Sequence, residues 1–133
     1  MRECARRFPL IVVTGTLRAE AETILGQAQI RQLFVDVIAA EDVEAGKPAP
    51  DGFLVGLGRL GFMLRPRPSI TGAECLVVED TSAGIEAAHR AGMPVLAVCH
   101  TAPAGQLAAA ELVRPSLRET DLDEVLRYLA RPD

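Results

Sequence analysis

Three short groups of residues have types suited to holding a phosphate ester and a metal ion. Lys47 is the only lysine in the chain, against thirteen arginines. A lysine ammonium suits a single phosphate oxygen or carboxylate better than a planar guanidinium does. Thr14-Gly15 offers a hydroxyl and backbone N–H groups for an anion, and Glu79-Asp80 offers the carboxylates that hard cations prefer. These residues predict a phosphate site beside a Mg²⁺ site.

The elements that would position these groups are short apolar runs that alternate with helical segments. Continuous apolar runs are typical of parallel strands covered on both faces, and their alternation with helices predicts an α/β sheet with right-handed crossovers. We predict strands at 10–13, 34–39, 76–78, 94–98 and 112–113, and helices at 17–25, 51–60, 82–91, 106–110 and 121–129. Because ligands bind at the carboxyl ends of such strands, Thr14, Lys47 and Asp80 are expected at one edge.

Length, charge and cysteine usage restrict the function further. At 133 residues the chain predicts one domain, 1–133, with a net charge of −4 and no basic block, which disfavours nucleic-acid binding. No apolar stretch approaches the roughly 20 residues of a membrane span. Three widely spaced cysteines favour neither a disulfide framework nor a zinc site, so a cytoplasmic location is expected.

Other features of the sequence indicate less about function. Residues 56–61 match the dinucleotide-binding pattern G-x-G-x-x-G, but they fall late in a helical pattern instead of between a strand and a helix, so the match is accidental. His89 and His100 have no neighbouring nucleophile or acid in a triad pattern, and a surface or core role is expected. Arg18 lies one turn into the helix that follows the first strand, where a surface role is favoured over contact with a distal part of the substrate.

In this order, the three groups resemble motifs of the haloacid dehalogenase-like hydrolase superfamily, in its subfamily with a helical cap (phosphoglycolate phosphatase and beta-phosphoglucomutase-like proteins). Residues 10–16 resemble the second motif, which implies that Thr14 and Gly15 hold the transferring phosphoryl group. Residues 42–51 resemble the third motif, which implies that Lys47 contacts both the phosphate and the nucleophilic carboxylate.

Residues 77–85 resemble the fourth motif, whose acids bind Mg²⁺. This implies that Asp80 is a metal ligand and that Glu79 is a direct or water-mediated one. The resemblance implies a Rossmann-like, three-layer core around a parallel sheet, and a Mg²⁺-dependent phosphohydrolase that acts on small phosphorylated metabolites through an aspartyl-phosphate. The acidic pair favours phosphatases and phosphomutases over dehalogenases, which need no metal.

The sequence also departs from the family pattern. The family begins with an apolar strand that ends in D-x-D-x-T/V, and the only D-x-D here, residues 121–123, lies in a helical pattern. The first-motif strand and the cap are therefore missing from these 133 residues. We expect a C-terminal portion that lacks the nucleophilic aspartate, is inactive alone, and pairs with the missing N-terminal segment or associates with itself through exposed strand edges.

Two alternatives stay open from the sequence. One is a non-catalytic module that keeps this fold and binds a partner or a phosphorylated ligand. The other is a phospho-acceptor receiver domain, which also combines acids, a hydroxyl and a Lys-Pro. In that class the Lys-Pro follows the acids, whereas Lys47-Pro48 precedes Glu79-Asp80 here, so a circular permutation would be required.

Overall fold

A computed structural model describes residues 1–132, which group into two compact units. The first is Met1–Ile70, and the second begins at Thr71. The prediction of one domain over residues 1–133 stays a prediction, and its last residue, Asp133, lies outside the described part of the chain. Each unit has its own parallel sheet and its own helices.

The first unit is built around two parallel strands. Its helices and strands are α1 (Arg2–Arg7), β1 (Ile11–Val13), α2 (Arg18–Gln27), β2 (Asp36–Ile38) and α3 (Asp51–Met63). Ile11 lies opposite Asp36 and Val13 opposite Ile38. Two short 3-10 turns, Arg31–Leu33 and Ala40–Asp42, flank β2.

The two faces of β1 pack against different helices. On one face Val12 packs against a core that α2 and β2 share, whose buried members are Ala21, Leu25, Phe34 and Val37. On the other face α3 packs at Gly56, where an added Cβ would be in ordinary contact, 3.8 Å from both Ile11 and Val13. The apolar run of β1 is therefore continuous because both faces of the strand are covered.

The second unit contains three parallel strands in the order β3-β4-β5. Its elements are β3 (Val77–Glu79), α4 (Ser82–Arg90), β4 (Val95–Val98), β5 (Leu112–Arg114) and α5 (Leu122–Leu129). The Thr81 hydroxyl caps α4 by accepting from the Gly84 amide at 3.1 Å. Asp121 caps α5 by accepting from two amides of its first turn, as the sequence pattern predicts.

The predicted α/β class with parallel strands is confirmed, and all five predicted strands form. The predicted helix at 106–110 is wrong: a 3-10 turn, Ala104–Leu107, stands there instead. A helix this short has a costly nucleus, and Gly105 weakens it further. The short helix α1 buries no side chain, so it has no apolar periodicity from which the sequence could predict it.

The G-x-G-x-x-G match and the strand edges can also be compared with the predictions. Helix α3 runs without interruption from Asp51 to Met63, so the G-x-G-x-x-G match lies inside a helix and is not a nucleotide-binding turn, as predicted. Within residues 1–132, β1 pairs along one side only, with β2, and β3 along one side only, with β4. No helix in the described part of the chain is long and apolar enough to cross a membrane.

Candidate functional site

Thr14 follows the last residue of β1 and continues its ladder, since its amide donates to the Ile38 carbonyl at 2.9 Å. Its hydroxyl accepts from the Thr16 amide at 3.2 Å and lies 3.1 Å from the Thr16 hydroxyl. Gly15, between them, is exposed, and a Cβ added there would meet no atom within 4 Å. The turn therefore leaves the backbone at Gly15 open to an approaching anion.

Lys47 comes to the same end of β1, as the sequence predicts. Its Nζ donates to the Val13 carbonyl at 3.3 Å and lies 5.1 Å from the centroid of the Phe53 ring. The side chain is half-buried. Because Val13 immediately precedes Thr14, the ammonium, the hydroxyl and the exposed Gly15 backbone are neighbours in the first unit.

Glu79 ends β3 and is the buried charged residue of the described core, at 7% exposure. Its Oε2 accepts from the amides of Asp80, at 3.1 Å, and Thr81, at 3.4 Å, and from the Thr81 hydroxyl at 3.2 Å. A Cβ added at Gly84 would lie 2.0 Å from the Glu79 carboxyl carbon, so this carboxylate fits the side-chain-free space there. It lies under the first turn of α4, where a negative charge is stabilised.

Asp80 is half-buried, and its Oδ2 accepts a short hydrogen bond from the Thr101 hydroxyl. Its carboxylate fits Mg²⁺, which proteins usually hold with one or two carboxylates while waters and substrate phosphates complete the shell. Over residues 1–132, no three or more His, Cys, Asp or Glu side chains are gathered closely enough to hold a metal ion by themselves. A metal ion at Asp80 would therefore need ligands beyond the side chains of these residues.

Four charged side chains form a network in the first unit. Arg59 contacts Asp36 at 2.7 Å and Asp42 at 3.5 Å, and Arg18 pairs with Asp42 as well. The Ala39 amide and then the two guanidiniums lower the pKa of Asp42. Burial is the largest single influence on Asp36 and would raise its pKa, but the hydrogen bonds from Arg59 and the Val37 amide and the nearby guanidinium charges together lower it. The Arg18 guanidinium is therefore paired with Asp42, and its side chain is partly exposed.

His89 lies on the surface, as expected, and contacts the Glu111 carboxylate at 2.9 Å. Sequence reasoning missed three residues beside the candidate groups: Phe53 under the ammonium, Thr101 on Asp80, and Gly84 against Glu79. Gly84 carried a signal, because a glycine three residues into a helix calls for a reason. No pattern in the sequence marks Phe53 or Thr101.

Comparison with known proteins gives a consistent result. A family model described as haloacid dehalogenase-like hydrolase matches residues 2–92. Fructose-1-phosphate phosphatase YqaB of Escherichia coli (strain K12) is 39% identical over 92 residues, which are 69% of this chain and 45% of that protein. Hexitol phosphatase A of the same organism is 40% identical over 110 residues, 82% of this chain and 46% of that protein.

Among solved structures, a beta-phosphoglucomutase from Clostridium difficile has a TM-score of 0.78 at 22% identity, and the match covers 94% of this chain and 50% of that chain. This likeness confirms the predicted Rossmann-like fold. The chain spans less than half the length of the two curated relatives named above.

Proposed function

Because this chain belongs to the haloacid dehalogenase-like hydrolases, we propose that it forms the phosphate-holding and metal-ligating portion of a Mg²⁺-dependent phosphohydrolase. One observation carries the proposal: the Lys47 ammonium lies 3.3 Å from the last carbonyl of β1, beside the Thr14-Gly15 turn. The substrates would be small phosphate esters, an inference that the name of the related fructose-1-phosphate phosphatase supports.

Each group has a defined task in this proposal. The Thr14 hydroxyl and the Gly15 backbone N–H donate to phosphoryl oxygens, and the Lys47 ammonium stabilises the charge that those oxygens develop. Asp80 would be the direct carboxylate ligand of Mg²⁺. Glu79 holds the turn that carries Asp80, and would act on the metal directly or through water. When bound, Mg²⁺ would neutralise phosphoryl charge.

The nucleophile would come from outside these 133 residues. Its carboxylate oxygen would attack phosphorus and the ester P–O bond would break, and a general acid that is also absent from these residues would give the leaving alcohol its proton. Water would then attack the aspartyl-phosphate and break its acyl phosphate linkage, which releases phosphate and restores the carboxylate. The chain by itself would hold phosphate without turning an ester over. We therefore expect this portion to be active only in a protein that supplies the missing aspartate.

Thermal unfolding with inorganic phosphate and Mg²⁺ tests the binding part of the proposal. A ligand at about ten times its Kd stabilises by roughly 1.4 kcal/mol, or about 3–5 °C in Tm for a chain of this size. Lys47→Met should remove the increase caused by phosphate, whereas Arg67→Met, the loss of an exposed positive charge in the same unit, should keep it. Asp80→Asn should remove the increase caused by Mg²⁺, and exposed Glu44→Gln should keep it.

Hydrolysis of p-nitrophenyl phosphate tests whether the chain by itself is inactive as a phosphatase. The purified chain with Mg²⁺ should release no more nitrophenol than buffer does. Robust turnover that disappears in Lys47→Ala would show that the 133 residues contain a complete catalytic set, and the proposed external aspartate would be wrong.

A further inference from the structure

The ring of Phe53 lies under the one lysine side chain of this protein. The Lys47 Nζ is 5.1 Å from the ring centroid, within the range at which a cation is attracted to an aromatic face. Phe53 is 7% exposed, so its ring is fixed by packing. It belongs to the first turn of α3, whereas Lys47 precedes that helix.

The position of the ring depends on a close approach of α3 to β1. Gly52, the residue before Phe53, has no side chain, and a Cβ there would come within 2.7 Å of Val13 Cγ1. This approach places Phe53 and the Val13 carbonyl against the same ammonium, the ring at 5.1 Å and the oxygen at 3.3 Å. The two contacts restrain the ammonium from two directions.

These contacts address the main weakness of lysine as an anion ligand. Its flexible stem loses rotamer freedom when the ammonium is fixed on a ligand, and a contact that fixes it beforehand reduces that loss. A ring face attracts the cation without accepting a directed hydrogen bond.

We propose that Phe53 is a positioning residue, whose ring holds the Lys47 ammonium at the carboxyl end of β1 in the orientation that receives an anion. The anion part of this inference rests on the proposed function, and the placement of the ammonium by the ring stands on the geometry alone. A partly buried cation–π contact is expected to change anion affinity by about two- to five-fold.

Because the chain has one lysine, lysine labelled with ¹³C and ¹⁵N gives a single side-chain Hε–Cε signal in NMR spectra. An Hε methylene above a ring face resonates upfield of free lysine. Phe53→Leu should move the signal back toward free lysine, and Phe53→Tyr, which keeps a ring, should hold it upfield. The same position of the signal in the wild type and in Phe53→Leu would overturn the proposal.

Phe34→Leu is the matched control. Phe34 is buried to a similar extent, 8% exposed, but it lies in the core between α2 and β2. Its replacement should lower stability as Phe53→Leu does and leave the lysine signal in place. An equal displacement of the signal in both variants would mean that general loosening moves the lysine, and the specific role of Phe53 would be wrong.

Titration with inorganic phosphate, followed on the same signal, measures the effect on binding. Phe53→Leu should raise the Kd for phosphate by about two- to five-fold, and Phe53→Tyr, which keeps the ring, should have a Kd close to the wild-type value. An unchanged Kd in Phe53→Leu would refute the positioning role in anion binding. If the wild-type signal does not move when phosphate is added, the proposed function is wrong. The upfield position of the signal, compared between the wild type and Phe53→Leu, would still decide whether the ring positions the ammonium.

Discussion

The ammonium of the first unit and the acids of the second are held in place by different kinds of contact. Lys47 is held by the Val13 carbonyl, 34 positions away in the sequence, and by the Phe53 ring on the next helix. The donors to the Glu79 carboxylate described above belong to Asp80 and Thr81, the next two residues. The contacts to Lys47 thus include the packing of a helix against a strand, and those to Glu79 include a turn of three consecutive residues.

This difference separates two ways of building a site. A local turn can form wherever its few residues occur together, because each hydrogen-bond donor is close to the acceptor along the chain. A contact between distant residues exists only when the intervening elements pack at the right distance. We therefore expect substitutions in the β3–α4 turn to act locally on the acids, and substitutions between α3 and β1 to act on the lysine.

The largest effect is expected from Gly84→Ala. A new Cβ would lie 2.0 Å from the Glu79 carboxyl carbon, so this buried carboxylate must leave its hydrogen bonds to the turn. We expect the free energy of unfolding to fall by about 2–3 kcal/mol, measured by urea denaturation followed by circular dichroism.

A double-mutant cycle identifies the clash as the cause. Glu79→Ala removes the obstructing carboxylate, so Gly84→Ala should cost much less in that background than in the wild type. If the two effects simply add, the contact between Glu79 and position 84 is not what destabilises the variant.

Thr81→Ala should have the next largest effect. The Thr81 hydroxyl caps α4 at the Gly84 amide and also donates to Glu79. Its loss should lower the free energy of unfolding by about 1–2 kcal/mol, and Thr81→Ser should recover most of that loss. Thr23→Ala, which removes an exposed hydroxyl inside α2, should be close to neutral by the same urea measurement.

Two glycines of α3 should respond to alanine in opposite directions. At Gly52 the new Cβ would lie 2.7 Å from Val13 Cγ1, and we expect a loss of about 1 kcal/mol together with a displaced Lys47 signal. At exposed Gly58 nothing lies within 4 Å, so alanine should stabilise the helix by about 0.5–1 kcal/mol and leave that signal in place. Equal effects would mean that the approach of α3 to β1 does not position the lysine.

The smallest effect concerns pH. The folded pKa of Asp36 and that of Asp42 are lowered, so these carboxyls stabilise the fold above their ordinary pKa, and that stabilisation is lost as pH falls through the lowered values. In the second unit burial opposes the shift at Glu111, but the Val95 amide and His89 lower its pKa on balance.

The three carboxyls can be separated by substitution. Asp36→Asn and Asp42→Asn should each make the urea midpoint less dependent on pH below about 5, and Glu111→Gln should do so in the second unit. A pH dependence in Asp36→Asn that matches the wild type would show that Arg59 does not stabilise that carboxylate in solution.

Much of the fold could be predicted because apolar runs and helix starts are local signals. The runs at 10–13 and 94–98 became β1 and β4, and the cap at Asp121 formed as its pattern indicates. The failures lie where no apolar periodicity exists: the exposed α1, and the segment around Gly105 that was predicted as a helix. Thr14 and Asp80 were recognised because they follow the ends of strands, and Lys47 because it is the one lysine of the chain.

The sequence by itself determined which chemistry each strand end carries, namely a hydroxyl and glycine after β1 and an acidic pair after β3. It also determined the turn that Glu79 holds, since donors and acceptor lie within three consecutive residues. Only the tertiary structure decided that the Lys47 ammonium rests between the Val13 carbonyl and the Phe53 ring. That placement requires α3 to pack against β1 at the distance that a glycine permits, and spacing along a chain does not specify such a distance.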